Sequence, residues 1–273
     1  MRHRLSSFTI AGTAILGLLG MVAVLAPLLS PYDPRAIAGE AVQAPSLHHL
    51  LGTNDIGQDI FSQIVSGSRS SLVVAVTAAT FTVSVGVVIG VGSGLLGGVV
   101  DAVVMRVVDL ILSVPAVPLL VLIAALAGPS RITVVLVIGL LGWPRSARIV
   151  RSQTLSLRKR GFVASAKGLG GGAFYVMRRH LVSALGPHIT VSFVNWAGVA
   201  IVLDAGLAFL GLSDPTAVSW GHVLYRALTY RGLYSSLLWT WWVLPAGMVV
   251  TAAVLGFSFL GLGLEPRSNP RAG

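Results

Sequence analysis

One stretch, 145–187, gathers most of the residues able to recognise another surface. It holds nine of the nineteen Lys and Arg residues (Arg145, Arg148, Arg151, Arg158, Lys159, Arg160, Lys167, Arg178 and Arg179) and no Asp or Glu. Leu157 to Lys167 has helical periodicity, Gly168 to Gly172 interrupts it, and Ala173 to Leu185 resumes it with Phe174, Met177, Leu181 and Leu185 on one stripe. The expected form is helix, glycine break, helix. Its tip, Ala164, Ser165 and Ala166, is small and weakly apolar. Such a segment suits docking into a groove on another protein. Binding to an anionic lipid surface is the other reading, and the residues alone leave both open.

Other chemistry is sparse. A phosphate-binding P-loop needs Gly-Lys-Ser/Thr, yet Lys159 precedes Arg160 and Lys167 precedes Gly168. The G-x-G-x-x-A spelling at Gly168, Gly170 and Ala173 follows a basic helical segment rather than a strand, so it does not read as a dinucleotide loop. No cysteine is present, which excludes thiolate metal sites and cysteine nucleophiles. His48 and His49 read as a solvated pair rather than a metal site. No catalytic, cofactor or metal-binding residue is expected. Three polar residues fall inside apolar runs: Asp109, Asn195 and Asp204. Ionisable groups at such places either mark a transport path or make a local hydrogen bond near a span end, and the second reading is preferred. Arg106 is a possible partner for Asp109 or Asp101.

The elements that must hold this island are apolar. The chain has 273 residues, 55% hydrophobic and 10% charged, against about 25% charged in soluble domains. It is expected to be an all-α, polytopic membrane protein with about six spans. The runs are Phe8 to Leu29, Ser71 to Gly98, Val103 to Ala127 kinked at Pro115 and Pro118, Ile132 to about Trp143, His188 to Leu212, and Leu237 to Leu264. The first run is too long for a signal peptide and is expected to be retained. Gly86, Gly90, Gly94 and Gly98 recur every four residues and should form a close-packing helix face. Between the first two runs, a Gly-punctuated turn leads into a short amphipathic helix carrying Ile56, Ile60, Phe61, Ile64 and Val65, expected to lie along the membrane surface. Trp239, Trp241 and Trp242 read as interfacial aromatics.

Six spans put both termini on one side with the island. That side carries fourteen Lys and Arg residues and the other five: Arg35, Arg69, Arg131, Arg226 and Arg231. The asymmetry predicts that the termini and the island are cytoplasmic. The same bias explains the formal charge of +10 without a nucleic-acid partner. Three parts follow: 1–70, a span with an extracytoplasmic segment; 71–264, the main membrane domain with the loop 145–187; and 265–273, a cytoplasmic tail.

Several segments together carry a family likeness: LLGTNDIGQDIFSQIVSGSRSSL, DAVVMRVVDLILSVPAVPLL, ARIVRSQTLSLRKRGFVASAKGLGGG, LDAGLAFLGLSDPTAVSWGHVL and FSFLGLGLEPRSNP. In this order and spacing, from about residue 50 to 270, the chain resembles the second permease subunit of the dipeptide, oligopeptide and nickel importers of the ATP-binding-cassette class. The resemblance implies the type I importer membrane fold and a bacterial cytoplasmic-membrane location. It also implies a homologous permease subunit, two ATPase subunits carrying ATP and magnesium, an extracytoplasmic binding protein, and membrane lipid around the spans. Phe162, Val163, Ala164, Ser165, Ala166, Lys167, Gly168, Leu169 and Gly170 would form the coupling segment that docks on the ATPase. Ala164 stands where the family commonly has Glu, Gly171 and Gly172 replace residues that continue into the second helix, and Val182–Ser183 stand for a common Leu-Pro. Asn54 and Gln58 replace a common Asp and Arg, and Leu262 a common Asp. A peptide is the favoured substrate, with nickel or a metal chelate as the alternative. A gradient-driven carrier acting alone is a further, less favoured alternative.

Overall fold

The computed structural model describes residues 6–161, 165, 170, 172, 175 and 177–268, and these contain no strand. Eight helices carry the architecture: α1 (Ser7–Leu29), α2 (Ile60–Leu96), α3 (Gly98–Ser113), α4 (Ala116–Ala127), α5 (Arg131–Arg158), α6 (Val182–Phe209), α7 (Trp220–Thr229) and α8 (Val243–Ser268). Five helical stretches are long and apolar enough to cross a membrane, and the bent pair α3–α4, counted as one broken span, makes up to six. Large apolar side chains such as Val24, Leu28, Val99 and Leu126 remain exposed, the surface expected to face lipid or another apolar partner.

The helices begin where side-chain oxygens cap them. Ser6 Oγ accepts from Phe8 N, Asp59 Oδ2 from Ser62 N at 2.7 Å, Ser130 Oγ from Thr133 N at 3.0 Å, and Ser219 Oγ from His222 N at 3.2 Å. α1 lies against α2 and α8, where Gly12 brings its backbone against Leu260 and Gly256. The main core gathers residues of α2, α4, α5, α6, α7 and α8 around Ile60, Ile138, Ile201, Leu207, Trp220 and Trp242.

Several expectations change here. The short amphipathic helix along the membrane is instead the N-terminal end of α2, one 37-residue helix. At 1.5 Å per residue it is about 55 Å long, well beyond a hydrocarbon core of about 30 Å. Its apolar face is covered by protein rather than lipid: Ile60 and Ile64 are buried with Trp220, whose Nε1 donates to Ile64 O at 3.0 Å. The run 103–127 is broken rather than kinked, because Val114 is extended ahead of Pro115, and α3 and α4 meet at 87°. Of the tryptophans, Trp239 is exposed, whereas Trp242 is fully buried with its ring 6.0 Å from that of Tyr230. His49 is buried, not solvated, with Nδ1 2.9 Å from Asp59 Oδ1.

Candidate functional site

The basic loop springs from a small core of its own. α5 continues as helix to Arg158, so the first part of the 145–187 island is the end of a span rather than free loop. On the return side a single π-helical turn, Met177–Leu181, runs directly into α6. Val91 and Leu95 from the end of α2, Val150 from α5, and Leu181 and Leu185 from the return side form a buried cluster separate from the main core, with Leu157, Met177 and Ile189 packed on it. Both roots of the loop therefore rest on the end of α2.

Close approach of α2 and α5 depends on glycine. A Cβ on Gly86 would fall 2.5 Å from Ser146 Cβ, one on Gly90 2.6 Å from the Ala147 carbonyl oxygen, and one on Gly94 3.0 Å from Thr154 Cβ. Gly98 does not share this face. It opens α3 with φ +55°, and a Cβ on it would meet nothing within 4 Å, because the α2 helix ends at Leu96. Arg158 Nη1 donates to the Gly94 carbonyl at 3.1 Å, placing a cation on the C-terminal carbonyls of α2.

Ion pairs tie α3 to the same end of α5. Arg151 engages both carboxylate oxygens of Asp101, and Arg148 pairs with Asp109. Arg106 is not the partner of either acid among the described residues. Of the coupling segment, Ser165 is helical and exposed, and Gly170 is exposed at φ +85°, a conformation that suits glycine. Phe162, Val163, Ala164, Ala166, Lys167, Gly168 and Leu169 lie outside the described residues.

The other polar residues of the spans separate. Asp109 is half-exposed in its pair with Arg148. Asn195 is exposed on α6, where a Cβ on Gly261 of α8 would collide with its side-chain oxygen. Asp204 is 5% exposed and makes no hydrogen bond or ion pair among the described residues, so the expected local hydrogen bond is not found. Arg131 at the start of α5 is the cation whose field reaches it.

At the opposite end from the loop, the segment before α2 is tied down by amides. Asn54 Oδ1 accepts from Ile56 N and Gln58 N, Gln58 Nε2 donates to Arg35 O at 2.7 Å, and Gln63 Nε2 donates to Pro34 O at 3.1 Å. Arg226 of α7 donates to Asp55 at 2.9 Å. His222 beside it is held below the ordinary histidine range, first by burial and then by the Arg226 charge. Asp214, in the turn before α7, is held below the usual carboxylate range chiefly by the Thr216 hydroxyl that donates to it. A cavity of about 400 Å³ lies nearby, lined by Arg35, Arg69 and Arg131. Sequence reading missed this convergence, since the three arginines lie on three distant segments. The only signal was that cations are scarce on that side.

A bundle of apolar helices with a basic loop rooted at one end defines a multi-span membrane protein. Residues 86–271 match the family of binding-protein-dependent transport system inner membrane components, and the chain belongs to it. A Brucella suis chain provisionally named a peptide permease is 37% identical over 252 residues, covering 90% of this chain and 81% of the relative. The dipeptide transport system permease protein of Bacillus subtilis is 31% identical over 274 residues, 99% of this chain and 84% of the relative. The nickel transport system permease protein of Escherichia coli is 33% identical over 259 residues, 94% and 91% respectively. The chain is thus a permease subunit of an ATP-driven importer, working with ATPase and substrate-binding partners, and ATP hydrolysis belongs to the partner chains.

Proposed function

We propose that this chain is the peptide-translocating permease of a five-part importer: itself, a homologous permease chain, two ATPase subunits and one extracytoplasmic binding protein. Both termini and the loop face the cytoplasm, as the fourteen-to-five distribution of Lys and Arg supports. The chain holds no cofactor of its own, with ATP and magnesium on the ATPases. Closure of the ATPases pushes on residues 162–170, and the push passes into α5 and α6 where the loop is rooted. The observation that carries this reading is the separate cluster of Val91, Leu95, Val150, Leu181 and Leu185, which joins both roots of an acid-free loop to one long span. Peptide is preferred because the Brucella and Bacillus relatives carry peptide names. The Escherichia coli relative favours nickel as the second reading.

Co-purification tests the coupling claim. ATPase subunits should be retained by the intact complex and lost from one lacking 158–183; equal retention would refute docking through the loop. In proteoliposomes, Gly170→Asp should abolish substrate-stimulated hydrolysis, since φ +85° disfavours any Cβ there. A knockout with nickel-dependent growth and intact peptide uptake would replace peptide by nickel.

A further inference from the structure

The side assigned to the outside carries only five cations, and three of them meet. Arg226 is paired with Asp55. Arg35, from the segment before α2, Arg69, on α2, and Arg131, the first residue of α5, line one shared cavity of about 400 Å³. Asp33 is the one acid on its wall, and it accepts from the Arg35 backbone N–H at 2.9 Å. No ion pair to any of the three guanidiniums exists among the described residues. Arg131 Nη2 donates to Ser70 Oγ at 2.9 Å.

Against the three guanidiniums the wall sets only Asp33, with Asp204 and Asp214 in the field of Arg131, so the cavity is positive at its face and attracts an anion. Guanidinium groups present planar forks that match a carboxylate, and the N-terminus of the 28-residue α5 adds the favourable end of its dipole. The cavity adjoins a second of about 190 Å³, which shares Pro34, Arg35 and Val218 and is lined further on by Gln58, Gln63 and Thr216. The Gln58 and Gln63 amides are already bonded to the backbone of Arg35 and Pro34, and the Thr216 hydroxyl to Asp214, so this second cavity offers a polar, preformed wall beside the arginines. Elsewhere the arginines near acids are already engaged, as in Arg148–Asp109 and Arg151–Asp101.

We propose that this groove is a substrate station on the outer face. The arginine cavity takes the C-terminal carboxylate of the incoming peptide, and the adjoining polar-walled cavity holds the residue before it. The proposal rests on the peptide reading above. A lipid phosphate would satisfy the same guanidiniums, so the test separates the two.

The test uses the complete importer without its binding protein, in nanodiscs of phosphatidylcholine alone, with saturation-transfer NMR on trialanine and on trialanine amide. Trialanine should bind about tenfold more tightly than the amide, the scale of losing a charged hydrogen-bonded contact. Arg69→Gln, on an exposed helix position, and the double variant Arg69→Gln/Arg131→Gln should reduce trialanine to the level of the amide, with assembly of the complex checked by size-exclusion chromatography. Equal binding of acid and amide by the wild type overturns the site, even if a variant does not fold. Loss of trialanine binding when phosphatidylglycerol replaces zwitterionic phosphatidylcholine assigns the cavity to a net-anionic lipid headgroup and overturns it as well. Uptake in proteoliposomes with the binding protein keeps the two claims apart. Acid-selective binding without peptide uptake removes the import reading and leaves the site; peptide uptake without acid-selective binding does the reverse.

Discussion

Arg151 of α5 grips Asp101 of α3 with two parallel hydrogen bonds, one to each carboxylate oxygen. The pair is partly buried, with side chains 29% and 15% exposed. It fixes the first half of the broken span to the helix that runs into the basic loop. Movement of the loop root must therefore carry α3 with it or break the pair.

Asp101→Asn should keep the fold and weaken this link. A bidentate pair of this exposure is worth about 1 kcal/mol in a double-mutant cycle with Arg151→Gln. Substrate-stimulated ATPase activity should fall more than basal activity, because the link matters when the loop moves. Equal loss of both activities would mark the pair as merely structural.

The glycine face gives a sharper contrast between neighbours. Gly90→Ala would place a methyl 2.6 Å from the Ala147 carbonyl oxygen and 2.9 Å from Val150 Cβ, contacts the two backbones relieve only by separating. Overpacking of this kind costs about 1–3 kcal/mol. Gly92→Ala, two residues on, meets nothing within 4 Å and should be neutral or stabilising by up to about 1 kcal/mol through helix propensity. Melting temperatures of the two variants in the assembled complex check this, and a Gly92→Ala variant as damaged as Gly90→Ala would contradict the α2–α5 contact.

Asp204 is buried without a partner among the described residues. Carrying an uncompensated neutral polar group into an apolar surrounding costs about 1–3 kcal/mol on mutational scales, and an ionised carboxylate costs more. Asp204→Leu should therefore raise the melting temperature of the complex. If the residue serves transport, uptake should fall in the same variant, the pattern of a group retained at a cost in stability. A variant both less stable and inactive would instead point to a structural partner.

How far the sequence reached depended on the range of the interactions. The apolar run from Phe8 to Leu29 nearly coincides with α1, since length and hydropathy are local properties. The spacing of Gly86, Gly90 and Gly94 placed them on one face, but which helix they meet is set by Ser146 to Thr154, far along the chain. The N-terminal end of α2 was misplaced because an apolar stripe does not say whether lipid or protein covers it. Trp220, which lies 156 residues beyond Ile64, decides that. The same limit hid His49 against Asp59 and the meeting of Arg35, Arg69 and Arg131. Asp101 and Asp109 looked self-sufficient beside Arg106, yet their partners come from α5.

The last prediction concerns acidity. His222 lies in α7, outside the spans, half-buried beside Arg226, with Asp214 and Asp55 pulling the other way. Burial and the Arg226 charge together hold its pKa below the ordinary 6.5. The unfolded chain then binds a proton more readily than the folded one. Stability from the neutral ring is full above pH 6.5 and is lost as pH falls from there through the folded pKa. Melting midpoints of the complex at pH 7.5 and 5.5 should therefore differ, and His222→Gln should reduce the difference. The loss should appear first in α7 and the amide-tied segment before α2, where Arg226 bonds Asp55. Hydrogen exchange at the two pH values, corrected for intrinsic rates, would locate it. Protection that falls instead around Val91 and Leu185 would assign the acid sensitivity to the loop end of the molecule and not to His222.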